Sequence, residues 1–240
     1  MSGSALEPLT WDSAFFGRGV ARLRASLDAW GFEQLRAAMQ ARQLGVVYWL
    51  VAPDDHLSQA TARAHGLPLL DRKATFALDL LTTPAPPPAG EVAVRLTQQA
   101  SPALHYLARQ SGRYSRFRLD EKLPAGAFEQ LYAAWLENAL RSERGEVVLT
   151  TGAPGHETGL LTLAPTADSA ALIGLLAVEE ACRRRGLGRA LLRAARQQAL
   201  AWGARELRVV TQLANEPACA LYRSGGFGLR GVELVYHVWL

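Results

Sequence analysis

The chain has 240 residues, of which 49% are hydrophobic and 20% charged, with 26 Lys and Arg against 22 Asp and Glu for a formal charge of +4. That length allows one large domain or two small ones at roughly 100–200 residues each, and the apolar content excludes disorder as the main state. The mild basic excess, more Arg than Lys, suits an anionic small molecule and is too weak to argue for nucleic acid. In chain order, Phe32, Leu35 and Met39 give Phe32–Gln43 a helical spacing that ends at Leu44-Gly45. Val46–Val51 is β-branched and aromatic and predicts a buried strand. Ser58–His65 reads as a short helix stopped by Gly66, and Ala74–Leu80 as a second strand. This α/β segment, residues 1–83, is too small for a whole enzyme and resembles a half-domain that must pack on something larger.

Residues 84–91 belong to a proline-rich stretch without apolar periodicity. Proline disfavours helix and strand interiors and stiffens an extended spacer, so a domain boundary is expected there. The alternative is a long surface loop within one domain. In residues 92–240, Pro102–Gly112 and Ala127–Leu140 read as helices. Strands follow at Glu146–Thr151, Thr158–Ala164 and Ala171–Val178, separated by turn residues. Leu187–Trp202 is an amphipathic helix closed by Gly203. Leu207–Thr211 reads as a strand, Glu216–Ser224 as a helix and Val232–Trp239 as a final strand. The expected fold is α/β, a mostly antiparallel mixed sheet flanked by helices and preceded by a truncated version of the same layout.

Two cysteines, Cys182 and Cys219, stand far apart, and the five histidines lack paired-ligand spacing. No disulfide framework and no metal site is expected. Cysteine use and the absence of a signal-peptide pattern suggest the cytoplasm. The most apolar run, Val46–Ala52, falls far short of the roughly 20 residues of a membrane helix, so no membrane partner is expected.

Chemistry concentrates where the apolar strand Leu172–Val178 runs into Glu179-Glu-Ala-Cys-Arg183-Arg-Arg-Gly-Leu-Gly-Arg189 and opens a helix. The first-turn N–H groups of a helix have no intrahelical partner and, with the dipole, make an anion site. Glycine lets a ligand approach the backbone, and Arg183, Arg184, Arg185 and Arg189 add charge suited to a polyphosphate. A solvated arginine-rich turn is the bland alternative. No G-K-[ST] closes a P-loop, and G-x-G-x-x-G fails at Leu191. This strand–R-x-x-G-x-G–helix context resembles the acyl-CoA acetyltransferases of the GNAT superfamily. Asn215, Ala218, Leu221-Tyr222 and Gly225-Gly-Phe227 resemble that superfamily's N-x-x-A-x-x-L-Y-x-x-x-G-F segment.

The resemblance implies acetyl-CoA as acyl donor, bound by Leu176, Ala177, Val178, Arg183, Arg184, Arg185, Gly186, Leu187, Gly188, Arg189 and Asn215. It also implies catalysis by Tyr222. A phenol can protonate a departing thiolate as general acid, although position alone also fits a core tyrosine. Asn215 suits the pantetheine arm and equally suits the N-cap of the helix at Glu216. If Leu175–Val178 splays from its neighbour, its free N–H groups can hold the thioester oxyanion. Otherwise it is an ordinary central strand. Glu180 stands where a proline often follows this strand, and is expected to alter only the loop.

Glu7-Pro-Leu-Thr-Trp-Asp-Ser-Ala-Phe-Phe-Gly17, Ser115-Arg-Phe-Arg118, Tyr132-Ala-Ala-Trp-Leu-Glu-Asn-Ala139, Ile173-Gly-Leu-Leu-Ala177 and Leu207-Arg-Val-Val-Thr-Gln212 narrow the resemblance to the bacterial TDP-fucosamine acetyltransferase family. That family implies acetyl transfer to the 4-amino group of a TDP-linked 4-amino-4,6-dideoxyhexose. Neither cysteine has a nucleophile setting with an adjacent base and an orienting group, so no covalent acetyl-enzyme is expected. Arg113-Tyr-Ser-Arg-Phe-Arg118 interleaves cations and rings. Arg116 and Phe117 are candidates to grip a diphosphate and stack on thymine; the same composition also fits single-stranded nucleic acid or a solvated turn. Asp71 matches an acidic position in the family's first domain and would drain the amine proton through water. Its plainer reading is a solvated turn residue before the strand at Ala74. Glu137 and Glu143 are no better supported. Homodimers are common in this fold. Acceptors of other kinds, such as another amino sugar, a polyamine, an antibiotic or a protein N-terminus, stay open, as does a non-catalytic acyl-CoA-binding module.

Overall fold

The computed structural model describes residues 6–84, 92–143 and 145–240. The chain divides into two compact units, residues 1–73 with 232–240 and residues 74–231. The division falls inside two strands rather than in the proline-rich stretch, and the expected linker, apart from Pro84, lies outside the described residues.

The first unit opens with β1 (Glu7–Pro8), α1 (Thr10–Phe16), β2 (Gly19–Arg24), α2 (Ala29–Ala41), β3 (Leu44–Val51), α3 (His56–Ala64) and the start of β4 (Asp71–Asp79). Side chains of Asp28 and Asp55 cap α2 and α3 by accepting from Gly31 N and Ser58 N, filling helix-end donors that would otherwise need water. All of Val46–Val51 is buried, so β3 needs a partner along both edges. Gly19–Arg24 supplies one, in parallel, and the last strand, β10 (Gly228–Trp239), supplies the other, antiparallel. Sequence order assigns the C-terminal strand to the larger domain. Its register, from Leu234↔Val51 to Trp239↔Val46, puts it in the smaller unit instead. That is how a segment too short to form its own sheet acquires one.

One face of this sheet packs Phe32, Leu35 and Met39 of α2 against Trp49, Tyr236 and Val238. The Trp49 indole donates to Ala25 O at 2.9 Å, so its one polar atom is satisfied inside the core. Asp71 opens β4 and is only 5% exposed. This corrects its reading as a solvated turn residue. The strand starts three residues before the apolar run, and Arg72 and Lys73 disguise its beginning in sequence.

The second unit adds β5 (Arg95–Thr97), α4 (Pro102–Ser111), α5 (Arg116–Leu119), α6 (Ala127–Arg141), β6 (Val147–Ala153), β7 (His156–Pro165), β8 (Ala170–Val178), α7 (Leu187–Ala201), β9 (Glu206–Gln212) and α8 (Glu216–Ser224). Its strands lie in the order β4-β9-β8-β7-β6-β5. The β5–β8 neighbours are antiparallel and β8–β9 is parallel, so the sheet is mixed as expected. A core of Leu161, Leu163, Ala171, Ile173, Leu207 and Val209 packs under Leu191, Leu192, Ala195 and Ala199 of α7 and under Cys219 and Tyr222 of α8. Arg196 of α7 is buried and donates to the carbonyls of Thr83 and Pro84, tying the end of the β4 segment to that helix. No helix among the described residues is long and apolar enough to cross a membrane.

The ring of Trp49 is fully buried between Phe32 and Tyr236. Trp49→Ala is therefore expected to destabilise the first unit by about 3–5 kcal/mol, the usual cost of emptying a large aromatic site. A urea titration followed by far-UV circular dichroism checks this.

Candidate active site

The site begins with a defect in β8. Opposite the single residue Thr162 of β7, strand β8 carries two, Gly174 and Leu175, between the pairs Leu163↔Ile173 and Leu161↔Leu176. The extra residue is a β-bulge, which bends its strand. Thr162 Oγ1 takes the place of a backbone carbonyl and accepts from Leu175 N at 2.8 Å. A Cβ at position 174 would lie 2.8 Å from that oxygen, so the bulge requires glycine there.

Pairing with β9 ends at this bulge. The last parallel pair is Ile173↔Val209, while β8 continues to Val178. Leu175 N points to β7, and Glu179 N bonds to Thr158 O of β7. Because successive residues of a strand alternate direction in the sheet plane, the N–H groups of Leu176 and Val178 point the other way, into the gap. Arg183 Nε donating to Val178 O at 3.2 Å fits that orientation. The splayed strand expected from Leu175–Val178 is present, and its free amides are on Leu176 and Val178.

The gap leads into a cleft of about 580 Å³, wholly within the second unit. Of the residues expected to hold acetyl-CoA, Leu176, Ala177, Val178, Arg183, Arg184, Gly186, Leu187, Gly188, Arg189 and Asn215 line it; Arg185 is exposed and does not. Glu180–Cys182 form a single 3-10 turn, with Glu180 in place of the proline common at this point. Arg184 then adopts φ +64° and Gly186 φ +84°. This left-handed step lets the chain turn sharply into α7. No side chain caps α7 at Gly186, so the first-turn amides stay available to an anion, with the helix dipole adding about 0.3–1 kcal/mol of attraction. Asn215 is the N-cap of α8, as its plainer reading has it. Its Oδ1 accepts from Ala218 N at 3.3 Å, and the residue also lines the cleft.

Tyr222 is not itself part of the lining, although its neighbours Ala218 and Leu221 are. It is 4% exposed. Its ring packs between Phe76 and Phe227 at centroid distances of 5.9 and 5.7 Å. Burial, reinforced by the Cys219 thiol, pushes the phenol far above its ordinary range, so it holds its proton at neutral pH. Cys182 lines the cleft with its thiol 3.5 Å from Glu179 Oε2. Desolvation and that carboxylate push the thiol up, which works against a thiolate nucleophile.

The basic–aromatic stretch is sorted by its packing. Phe117 is 5% exposed and packs edge-on against Trp135, which commits its ring to the core and corrects the expectation of a platform for thymine. The Arg116 guanidinium lies over the Phe117 ring at 4.3 Å; neither residue lines the cleft, whereas Arg113 and Tyr114 do. Glu137 pairs with His105 at 3.1 Å on the α4–α6 surface. Gln110, Ser111, Pro217, Ala220 and Ser224 also line the cleft and were missed, because nothing in their own residue types marks them.

Residues 102–227 match the Acetyltransferase (GNAT) family. The chain is 30% identical over 234 residues to dTDP-fucosamine acetyltransferase of Escherichia coli O6:H1 (strain CFT073), covering 93% of each protein. The fold is similar to a functionally unknown conserved protein of Staphylococcus epidermidis (TM-score 0.63, 12% identity, 98% of this chain and 92% of that one). It is also similar to a tandem GNAT protein from the clavulanic acid biosynthesis pathway (TM-score 0.56, 18% identity, 92% and 75%). The chain belongs to the GNAT acetyltransferase family and is an acyl-CoA-dependent N-acetyltransferase. The loop arginines, the uncapped α7 amides and the open edge of β8 fit the diphosphate and the pantetheine amides of acetyl-CoA.

Thr162→Val keeps the shape of the side chain and removes the acceptor of Leu175 N. The buried amide is then unsatisfied, so a loss of about 1–3 kcal/mol is expected in chemical denaturation, with Thr162→Ser restoring most of it.

Proposed function

We propose that the protein moves acetyl from acetyl-CoA to the 4-amino group of a TDP-linked 4-amino-4,6-dideoxyhexose, a step that feeds cell-surface polysaccharide synthesis. The supporting observation is the charge of the cleft. Arg183, Arg184 and Arg189 serve the diphosphate of acetyl-CoA in this reading, Arg113 adds a further cation, and no carboxylate lines the cleft among the described residues. Such a surface repels a polyamine and attracts an acceptor that carries its own phosphates. The E. coli relative named for dTDP-fucosamine, matching over 93% of the chain, points to the same substrate class.

Transfer is direct, in a ternary complex. The neutral sugar amine attacks the thioester carbonyl, and a C–N bond forms. Amides of Leu176 and Val178 hold the developing oxyanion; preorganised donors of this kind often contribute more to acyl transfer than any other single effect. The C–S bond breaks as the carbonyl re-forms, and Tyr222, buried beside the lining residues Ala218 and Leu221, gives its phenolic proton to the departing thiolate once the sulfur comes within hydrogen-bond reach. The amine loses its proton to solvent. A phenol kept neutral by burial is in the protonation state that this role needs.

Thiol release from acetyl-CoA, measured against a panel of amines, tests this reading. TDP-4-amino-4,6-dideoxygalactose should drive release, and Tyr222→Phe should lower kcat by about 10²–10⁴-fold, the usual worth of a general acid, with the acetyl-CoA KM little changed. Because burial raises the phenol, kcat/KM should show no alkaline fall from Tyr222 below its ordinary value of 10.0. Turnover confined to amines without a nucleotide would overturn the substrate. Full activity in Tyr222→Phe would remove the general acid.

A further inference from the structure

The cleft has two walls of different origin. One is the α7 loop, with Arg183, Arg184 and Arg189; the other is the end of α4 and the turn after it, with Arg113 and Tyr114. Ser115 N donates to Gly112 O at 2.8 Å, which closes a four-residue β-turn with Arg113 and Tyr114 at its two corner positions. Side chains at those positions project away from the turn.

Two contacts pin the turn. Ser115 Oγ accepts from Phe117 N at 3.2 Å and starts α5. Gly112 lies flat against the ring of Tyr132 of α6, so close that a Cβ would fall 2.2 Å from its Cζ. The direction of Arg113 is therefore set by packing in the body of the unit. Arg116 and Arg118 are laid over the rings of Phe117 and Phe128. Of the three arginines in the stretch, Arg113 is the one that reaches the cleft. No carboxylate lies within salt-bridge distance of it among the described residues.

An acceptor with its own diphosphate would share this cleft with the diphosphate of acetyl-CoA. Two such groups need separate countercharges, because arginines engaged by the donor cannot also neutralise the acceptor. We infer that the Gly112–Ser115 turn is the acceptor's anion subsite, in which Arg113 grips the diphosphate of a nucleotide-linked amine and Tyr114 packs against the nucleoside. This rests on the nucleotide-linked acceptor proposed above. Arginine's planar fork suits a diphosphate, and tyrosine offers a large face at low entropic cost.

Calorimetric titration of the full-length protein with thymidine diphosphate, in saturating CoA, tests the subsite without requiring turnover. Arg113→Gln should weaken this binding about 10–100-fold, as expected for loss of a charged hydrogen-bond partner. The acetyl-CoA KM should stay within about twofold, since the donor's contacts are on the other wall. Arg113→Lys should recover part of the affinity, and Arg141→Gln, at an exposed position near the end of α6, should change nothing. Failure of the wild type to bind thymidine diphosphate, unchanged binding in Arg113→Gln, or a rise in the acetyl-CoA KM instead would each overturn the inference. A protein that binds thymidine diphosphate through Arg113 but acetylates no TDP-amino sugar keeps the subsite and loses the proposed substrate. Turnover of that sugar with an unaltered Arg113→Gln enzyme does the reverse.

Discussion

The hydrogen bond from Leu175 N to Thr162 Oγ1 is the contact on which the cleft depends. It fixes the bulge, and the bulge ends the pairing of β8 with β9 after Ile173. A strand that stayed paired to Val178 would spend its amides on β9 and leave no gap. The substitute acceptor also removes the penalty of an unsatisfied buried N–H, which would otherwise make the distortion unfavourable. Opening a sheet is thus made compatible with stability by one hydroxyl and one missing Cβ.

The same strand orders the chain beyond the bulge. Val178 leads through one 3-10 turn to Arg184 and Gly186 in the left-handed region and then into α7. The amides of Leu176 and Val178 and those of the first turn of α7 therefore open on one cleft, separated by a loop of fixed path. A thioester and a diphosphate belong to opposite ends of one extended molecule, and in the proposed mode of acetyl-CoA binding this loop would set the distance between the groups that meet them. Preorganisation of this kind would place the proposed oxyanion donors before the ligand arrives.

Much of this was legible in the chain. The run Leu172–Val178 followed by Arg183-Arg-Arg-Gly-Leu-Gly carries its chemistry locally, because a strand, a turn and a helix start are adjacent in sequence. The long helices were readable from their apolar spacing. The shorter elements escaped: α1 has no side-chain cap and spans seven residues, and β2 interrupts its apolar pattern with arginines. The partner of β3 was not readable at all, since its edge is completed by residues more than 180 positions away in the chain. Phe117 shows the same limit from another side. Its composition suits stacking on a base, and only the position of Trp135 reveals that the ring is already occupied.

Tyr222 sharpens the relation between burial and chemistry in this site. A phenol exposed in the cleft would titrate near its ordinary value and would offer its proton to water as readily as to a thiolate. Held between Phe76 and Phe227, it keeps that proton across the physiological range. The cost is that the ground state makes it a weak acid. As the general acid of the proposed transfer, it would give up that proton only when negative charge develops on a sulfur close to it, because a nearby anion in a low-dielectric setting strengthens the hydrogen bond that donates to it. The arginine-rich walls favour anionic ligands in the cleft, and the aromatic packing keeps the phenol neutral. Burial pushes the thiols of both Cys182 and Cys219 up, which works against a thiolate nucleophile and agrees with the direct attack proposed above.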